Sequence, residues 1–117
     1  MAGVAAKAFT GLTGLKVAVN PTHTLGVLYS KTLRALAKMP AEYPYRKQTE
    51  TLVVQRADII KNTPTIMEAE QKIGMGQIEE VIIQAENELV LARNILEWRA
   101  WEPLAEKAPK DQWKWPL

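Results

Sequence analysis

Cysteine is absent from the 117 residues, and histidine occurs only once. The absence of cysteine excludes disulfides, thiolate metal sites and a cysteine nucleophile, and it fits a reducing compartment such as cytosol or matrix. The single histidine, His23, falls in the first turn of a predicted helix, where we expect a capping or surface role rather than general-base catalysis. No stretch approaches the roughly 18 to 20 consecutive apolar residues that span a bilayer, so we expect a soluble protein.

Acidic residues are scarce in the first part of the chain, where the first carboxylate is Glu42. Residues 1 to 62 carry nine Lys and Arg against three Asp and Glu, whereas residues 63 to 117 carry six against ten. Two interpretations of the basic N-terminal segment stay open, mitochondrial targeting and a basic arm that binds a partner. The length allows one domain and no second core.

Helix start and stop signals divide the chain into four predicted helices. Asn20 is a suitable N-cap, and proline suits the first helical position in Pro21, Pro44 and Pro64, the last of these preceded by Thr63 as a predicted cap. Gly74 suits a left-handed helix end. The predicted helices run from about Pro21 to Lys38, from Pro44 to Asn62, from Pro64 to Ile73 and from Gln77 to Trp101.

These helices predict an all-α fold, a small three-helix bundle with a short extra helix. Residues 1–19 form a predicted extended N-terminal arm, residues 20–101 the helical bundle, and residues 102–117 an extended C-terminal strap that contains tryptophan and proline.

The longest predicted helix has apolar residues on two opposite faces. At about 100° per residue, one stripe forms a predicted core face. It consists of Ile78, Val81, Ile82, Ala85, Leu89, Ala92 and Leu96. A charged wedge beside it is predicted to be wet and consists of Glu79, Glu86, Arg93 and Glu97. The face opposite the core carries Ile83, Val90, Leu91, Trp98 and Trp101, and it must be covered by the chain's own tail or by another protein.

Four tryptophans are many for the core of so small a domain. Trp98 and Trp101 are predicted to share the second face of the long helix, while Trp113 and Trp115 alternate in the strap and so point to one side of it. Tryptophan is enriched at the centres of protein interfaces. Two alternatives stay open, that the strap folds back and the tryptophans fix it to the long helix, or that they contact a partner directly. The candidate interface is therefore Ile83, Val90, Leu91, Trp98, Trp101, Trp113 and Trp115.

Residues that could carry chemistry lack the companions that chemistry needs. The Gly74-Met-Gly76 stretch lacks a phosphate-binding signature and predicts a turn. The acids Glu79, Glu80, Glu86 and Glu88 predict a solvated face rather than a cation site. Arg56, which falls in the apolar stripe of the second helix, either extends its head to water or pairs with an acid such as Glu88. We therefore expect no enzyme activity, no cofactor and no metal, and we keep a free-standing helical adaptor or nucleic-acid-binding module as the alternative.

Three segments near the C-terminus resemble a known family. They are Gln77 to Arg93, Glu97-Trp-Arg-Ala-Trp-Glu-Pro-Leu and Asp111-Gln-Trp-Lys-Trp-Pro, with further similarity at Thr10-Gly-Leu-Thr-Gly-Leu and Tyr45-Arg-Lys-Gln-Thr-Glu. The family is alpha-subcomplex subunit 5 of mitochondrial NADH:ubiquinone oxidoreductase, respiratory complex I of the electron transport chain.

The resemblance implies an accessory subunit without catalytic residues, redox centres or a small-molecule substrate. It implies a helical bundle on the matrix arm near the quinone-side module, peripheral to the inner membrane on its matrix side. The partners implied are core and accessory subunits of that arm, with no nucleic acid and no direct membrane span.

Overall fold

A computed structural model describes residues 7–115, and it contains four helices and, within that range, no strand. The helices are α1 (Pro21–Ala37), α2 (Pro44–Asn62), α3 (Ile66–Ile73) and α4 (Ile78–Trp98). The all-α prediction is confirmed. No helix in the described part of the chain is long and apolar enough to cross a membrane.

The helix starts follow the sequence signals at α1 and α2 but not at α3. The Asn20 side chain accepts a hydrogen bond from the His23 N–H at 3.4 Å, and Pro21 follows it as the first helical residue. Thr63 was predicted to cap the third helix, which is wrong because Thr63 ends α2, its own N–H donating to the Ile59 carbonyl. The third helix begins at Ile66, and it ends at Gly74, whose φ of 73° is the expected left-handed conformation.

The long helix is shorter than predicted. At its start, Glu80 Oε2 accepts the Gln77 N–H at 2.8 Å, which satisfies one of the free donors of the first turn. At its end, Arg99 adopts φ 54° and ψ 50°, so the helix stops at Trp98 and the prediction that it reaches Trp101 is wrong. A left-handed non-glycine residue gives no sequence signal of the kind that glycine gives, so the sequence predicts the helix end three residues too late.

Helix α1 packs on both α2 and α4, whose backbones stay apart and whose side chains meet in hydrogen bonds from Arg56 to Gln84 and from Tyr45 to Glu88. The larger apolar cluster joins all four helices, and the smaller one joins the C-terminal ends of α1 and α4. Six predicted core residues of α4 are buried, namely Ile78, Val81, Ile82, Ala85, Leu89 and Ala92. The seventh, Leu96, is only half-buried, and Ile95 is buried in its place.

The predicted wet wedge of α4 contains one error. Glu79 is 4% exposed and belongs to the buried side of the helix. It lies about 100° from Ile78 around the helix, at the edge of the core stripe, and contacts from the N-terminal arm cover it.

Candidate protein interface

The outer face of α4 is an exposed apolar surface. We use "outer face" for Ile83, Val90, Leu91 and Trp98. All four side chains are exposed, and the exposed fraction of Trp98 is 66%. On the helical wheel these four side chains fall within about 100° of one another. Each of the four is exposed in the structure, so the prediction of a second apolar face on α4 is confirmed for these positions, and their role as an interface stays a prediction.

Uncharged residues complete the outer face, and charged residues border it. Asn87 and Asn94 project between the apolar positions, whereas Glu86, Arg93 and Glu97 follow along one edge. An apolar centre without charges, flanked by a polar rim, is the composition of the buried part of many protein interfaces.

Trp101 does not belong to the outer face, which corrects its predicted position. Because α4 ends at Trp98, Trp101 follows a turn and packs on the smaller apolar cluster beside Tyr43. The two ring centroids are 5.9 Å apart at an interplanar angle of 64°, an edge-to-face arrangement. Trp101 therefore contributes to the end of the bundle, with only part of its surface left for a partner.

The strap does not cover the outer face in this structure. Trp113 and Trp115 are 88% and 87% exposed, and residues 102–115 form turns and bends without a helix. The radius of gyration is 18.9 Å, against about 13 Å for a compact domain of this length, because part of the chain lies outside the bundle. Of the two alternatives for these tryptophans, the fold-back of the strap onto α4 is not what the described residues adopt.

A groove of about 370 Å³ lies between α2 and α4, with α1 at its floor. Leu52 and Leu91 stand on its two walls, and Tyr29 of α1 lines it from below. Tyr29 is 4% exposed, and its hydroxyl lies beside the Arg56 guanidinium with no described residue placed to accept its proton. A buried hydroxyl proton without an acceptor is unfavourable, and a water molecule or a partner's group in the groove can supply that acceptor.

Arg56 lies at the rim of this α2–α4 groove. Its Nη1 donates to Gln84 Oε1 at 3.4 Å, and the residue is half-buried, so the prediction that its head extends toward water stays a prediction. Glu88, the alternative partner, instead accepts a hydrogen bond from the Tyr45 hydroxyl. Burial raises the pKa of Tyr29, and the neighbouring Arg56 guanidinium opposes that rise. Burial and the Glu88 carboxylate together raise the pKa of Tyr45 far above its ordinary value.

The N-terminal arm is fastened to α4 by a cluster of polar contacts that the sequence analysis missed. Lys7 Nζ lies 2.6 Å from Glu79 Oε1 and 3.4 Å from Glu70 Oε2. The Ala18 N–H donates to Glu79 Oε2 at 3.1 Å, and Gln77 Nε2 donates to the Thr10 carbonyl at 2.7 Å. We call this cluster the N-terminal latch. Its partners are some 60 to 70 residues apart, and no periodicity or motif spacing connects them.

The latch keeps its buried carboxylate charged. Burial raises the pKa of Glu79, but the Lys7 ammonium and the Ala18 N–H lower it by more, so the net pKa is below its usual 4.5. For Lys7, burial lowers the pKa, and Glu79 with Glu70 raises it to a net value above 10.5. Each partner therefore stabilises the charged form of the other.

The remaining polar residues singled out from the sequence have roles within the fold. His23 is exposed at the start of α1, and Glu80 caps the start of α4. Residues 7–115 contain no group of three or more His, Asp and Glu side chains arranged to hold a metal ion.

These features define a class of protein, a small helical module with an exposed apolar face on its longest helix. Comparison with known proteins narrows the class to a family. A family described as "ETC complex I subunit conserved region" matches residues 14–80.

Relatives extend the similarity over the whole chain. The bovine NADH dehydrogenase [ubiquinone] 1 alpha subcomplex subunit 5 is 46% identical over 117 residues, all of both chains. A probable subunit 5 from Caenorhabditis elegans is 51% identical over 95% of this chain and 74% of its own length. The Arabidopsis thaliana relative, named as probable and mitochondrial, is 38% identical over 81% of this chain and 56% of its own length. The chain belongs to this family of complex I alpha-subcomplex subunits 5.

Proposed function

We infer that this chain is a non-catalytic accessory subunit of mitochondrial respiratory complex I. The observation that carries the inference is the alignment with the bovine subunit, which covers both chains completely at 46% identity. The family description names a complex I subunit, and the Arabidopsis relative is named mitochondrial. The chain then serves electron transport by holding other subunits together.

We further propose a location on the matrix arm, near the quinone-side module and peripheral to the inner membrane on its matrix side. The resemblance of the C-terminal segments to the family supports this location, and so does a surface suited to protein contact. Core and accessory subunits of the arm are the partners, and nucleic acid is not among them.

We propose that the chain is organised as an arm (1–19), a helical bundle (20–101) and a strap (102–117). The bundle presents the outer face of α4, and the strap presents Trp113 and Trp115, to neighbouring subunits. Support comes from the exposure of these apolar side chains, which is costly for an isolated protein and is offset when a partner covers them. Trp101 contributes through the part of its ring that Tyr43 leaves uncovered.

Native gel electrophoresis of mitochondrial membranes tests the proposed function. The tagged chain should migrate with an assembly that stains for NADH dehydrogenase activity, and depletion of the chain should reduce the amount of that assembly. Re-expression of the wild-type chain is the control and should restore it.

The proposal fails if the chain is absent from the assembly and the assembly persists at full amount without it. Retention on nucleic acid that weakens steeply with salt would instead favour the binding-module alternative.

A further inference from the structure

The α2–α4 groove holds two polar groups whose bonding capacity the described part of the chain leaves unused. The Tyr29 hydroxyl is buried there beside the Arg56 guanidinium, which can only donate to it, and no group of residues 7–115 is placed to accept the hydroxyl proton. Arg56 makes one long hydrogen bond to Gln84, and no carboxylate of residues 7–115 lies within 4.0 Å of its guanidinium. Both groups are able to donate a hydrogen bond into the groove.

The two polar ends of the groove differ in how well they are satisfied. At one end the Glu88 carboxylate accepts a hydrogen bond from the Tyr45 hydroxyl. At the other end the Arg56 guanidinium has only neutral neighbours, the Gln84 amide and the Tyr29 hydroxyl, and the Tyr29 proton has no acceptor. Both donors with unused capacity therefore lie at the Arg56 end, which lacks a hydrogen-bond acceptor, and a carboxylate would also supply the counter-charge of Arg56.

The groove is continuous with the surface that the proposed function assigns to a neighbouring subunit. Leu91 belongs both to the outer face of α4 and to the groove wall. A protein that covers the outer face thus reaches the groove and removes water from around Arg56. Covering a guanidinium without a counter-charge is strongly unfavourable, so such a partner must bring an acid with it.

We propose that the α2–α4 groove receives an Asp or Glu side chain of a neighbouring subunit. The carboxylate pairs with Arg56 and accepts a hydrogen bond from the Tyr29 hydroxyl, while the flanking side chains of the partner pack on Leu52 and Leu91. This inference rests on the proposed function, because the occupant is a subunit of the same assembly.

Site-specific photo-cross-linking locates the occupant. A benzophenone amino acid replaces Leu52 on the groove wall, and a matched variant carries it at Val54, which lies on the same helix outside the groove lining. The Leu52 and Val54 side chains are 43% and 42% exposed, so the two variants differ in which surface of α2 carries the cross-linker and hardly in its accessibility. The full chain is assembled in mitochondria, irradiated, and the cross-linked peptides are sequenced.

The expected result is a cross-link from position 52, and not from position 54, to one segment of another complex I subunit that contains Asp or Glu. A cross-link from position 52 to a second copy of this chain, to its own strap, or to a segment without an acid overturns the proposal. Cross-links of equal yield from positions 52 and 54 also overturn the proposal.

Charge reversal tests the pairing itself. Arg56→Glu should reduce incorporation in competition with the wild-type chain by roughly tenfold or more, because it places two acids together in a covered site. Lys61→Glu, an exposed reversal on the same helix, should change incorporation less than about twofold. Tyr29→Phe should reduce it about two- to fivefold by removing one hydrogen bond.

Rescue separates pairing from folding. Replacing the cross-linked acid of the partner by Lys should restore incorporation of the Arg56→Glu chain, and a merely misfolded chain would not be restored. If the wild-type chain enters the assembly but Arg56→Glu enters equally well, the inference fails and the proposed function stands. If the wild-type chain does not enter the assembly, the proposed function itself fails.

Discussion

The two non-helical ends of the chain behave in opposite ways. The N-terminal arm has few large side chains, yet the latch holds it to α3 and α4 through Lys7, Thr10 and Ala18. The strap carries two tryptophans, and both are almost fully exposed. Large aromatic side chains thus do not ensure that a segment packs on its own domain, and a few polar groups matched to a buried carboxylate are enough to fix one.

The difference has a physical basis in what each segment meets. Glu79 is buried at the edge of the core, where a carboxylate without a counter-charge would destabilise the fold. Lys7 supplies that counter-charge, so the arm is stabilised in contact with α4. The outer face of α4 is apolar and shallow, and the strap would lose conformational freedom in order to cover it. The arm therefore belongs to the fold, and we expect the strap to belong to the assembly.

The largest expected effect comes from the strap. The double variant Trp113→Ala with Trp115→Ala should weaken incorporation into the complex by at least about 30-fold, since truncating even one hot-spot tryptophan at an interface costs about 2 kcal/mol or more. The helical circular dichroism of the isolated chain should stay unchanged, because both side chains are almost fully exposed. Competition with the wild-type chain on native gels measures the first effect.

Phenylalanine at both positions is the matched control and should keep most of the incorporation by preserving an aromatic ring. Loss of helicity in the alanine variant would contradict the distinction between the arm and the strap, because it would show that the strap stabilises the bundle.

A smaller effect is expected at the arm. Lys7→Ala removes the counter-charge of Glu79, and the free energy of unfolding should fall by about 1–3 kcal/mol, less than for a fully buried pair because Lys7 is partly exposed. Lys16→Ala is the control, an exposed lysine of the same arm, and should change stability by less than about 0.5 kcal/mol. Urea unfolding followed by circular dichroism measures both. Equal losses in the two variants would show that the latch is not specific to Lys7.

Local signals predicted most of the fold. Asn20 with Pro21, Tyr43 with Pro44 and Gly74 mark helix ends, and the periodicity of α4 predicted six of its buried residues, because these features depend on neighbours within one or two turns.

Features that depend on distant partners were not predictable in this way. The burial of Glu79 requires Lys7 and Ala18, and the groove beside Tyr29 requires α2 and α4 to stand apart on α1. The position of Trp101 depended on one residue, Arg99, that adopts a left-handed conformation without being glycine. The sequence thus predicted the exposure of the four outer-face residues, but it wrongly placed Trp101 on the same face because it did not predict the helix end.

The smallest expected effect is the response of the latch to acid. The folded-state pKa of Glu79 is below 4.5, so its contribution to stability is complete above pH 4.5 and is lost as the pH falls through the folded pKa. The pKa of Lys7 is above 10.5, so the contribution of that partner is lost only in strong alkali.

The Ala18 amide, which donates to Glu79, reports the protonation of Glu79 directly by its NMR chemical shift. Its titration midpoint should lie below pH 4.5, and Glu79→Gln should remove the step. A midpoint at or above 4.5 would mean that burial outweighs Lys7, and the arm would then be held less firmly than the contrast with the strap requires.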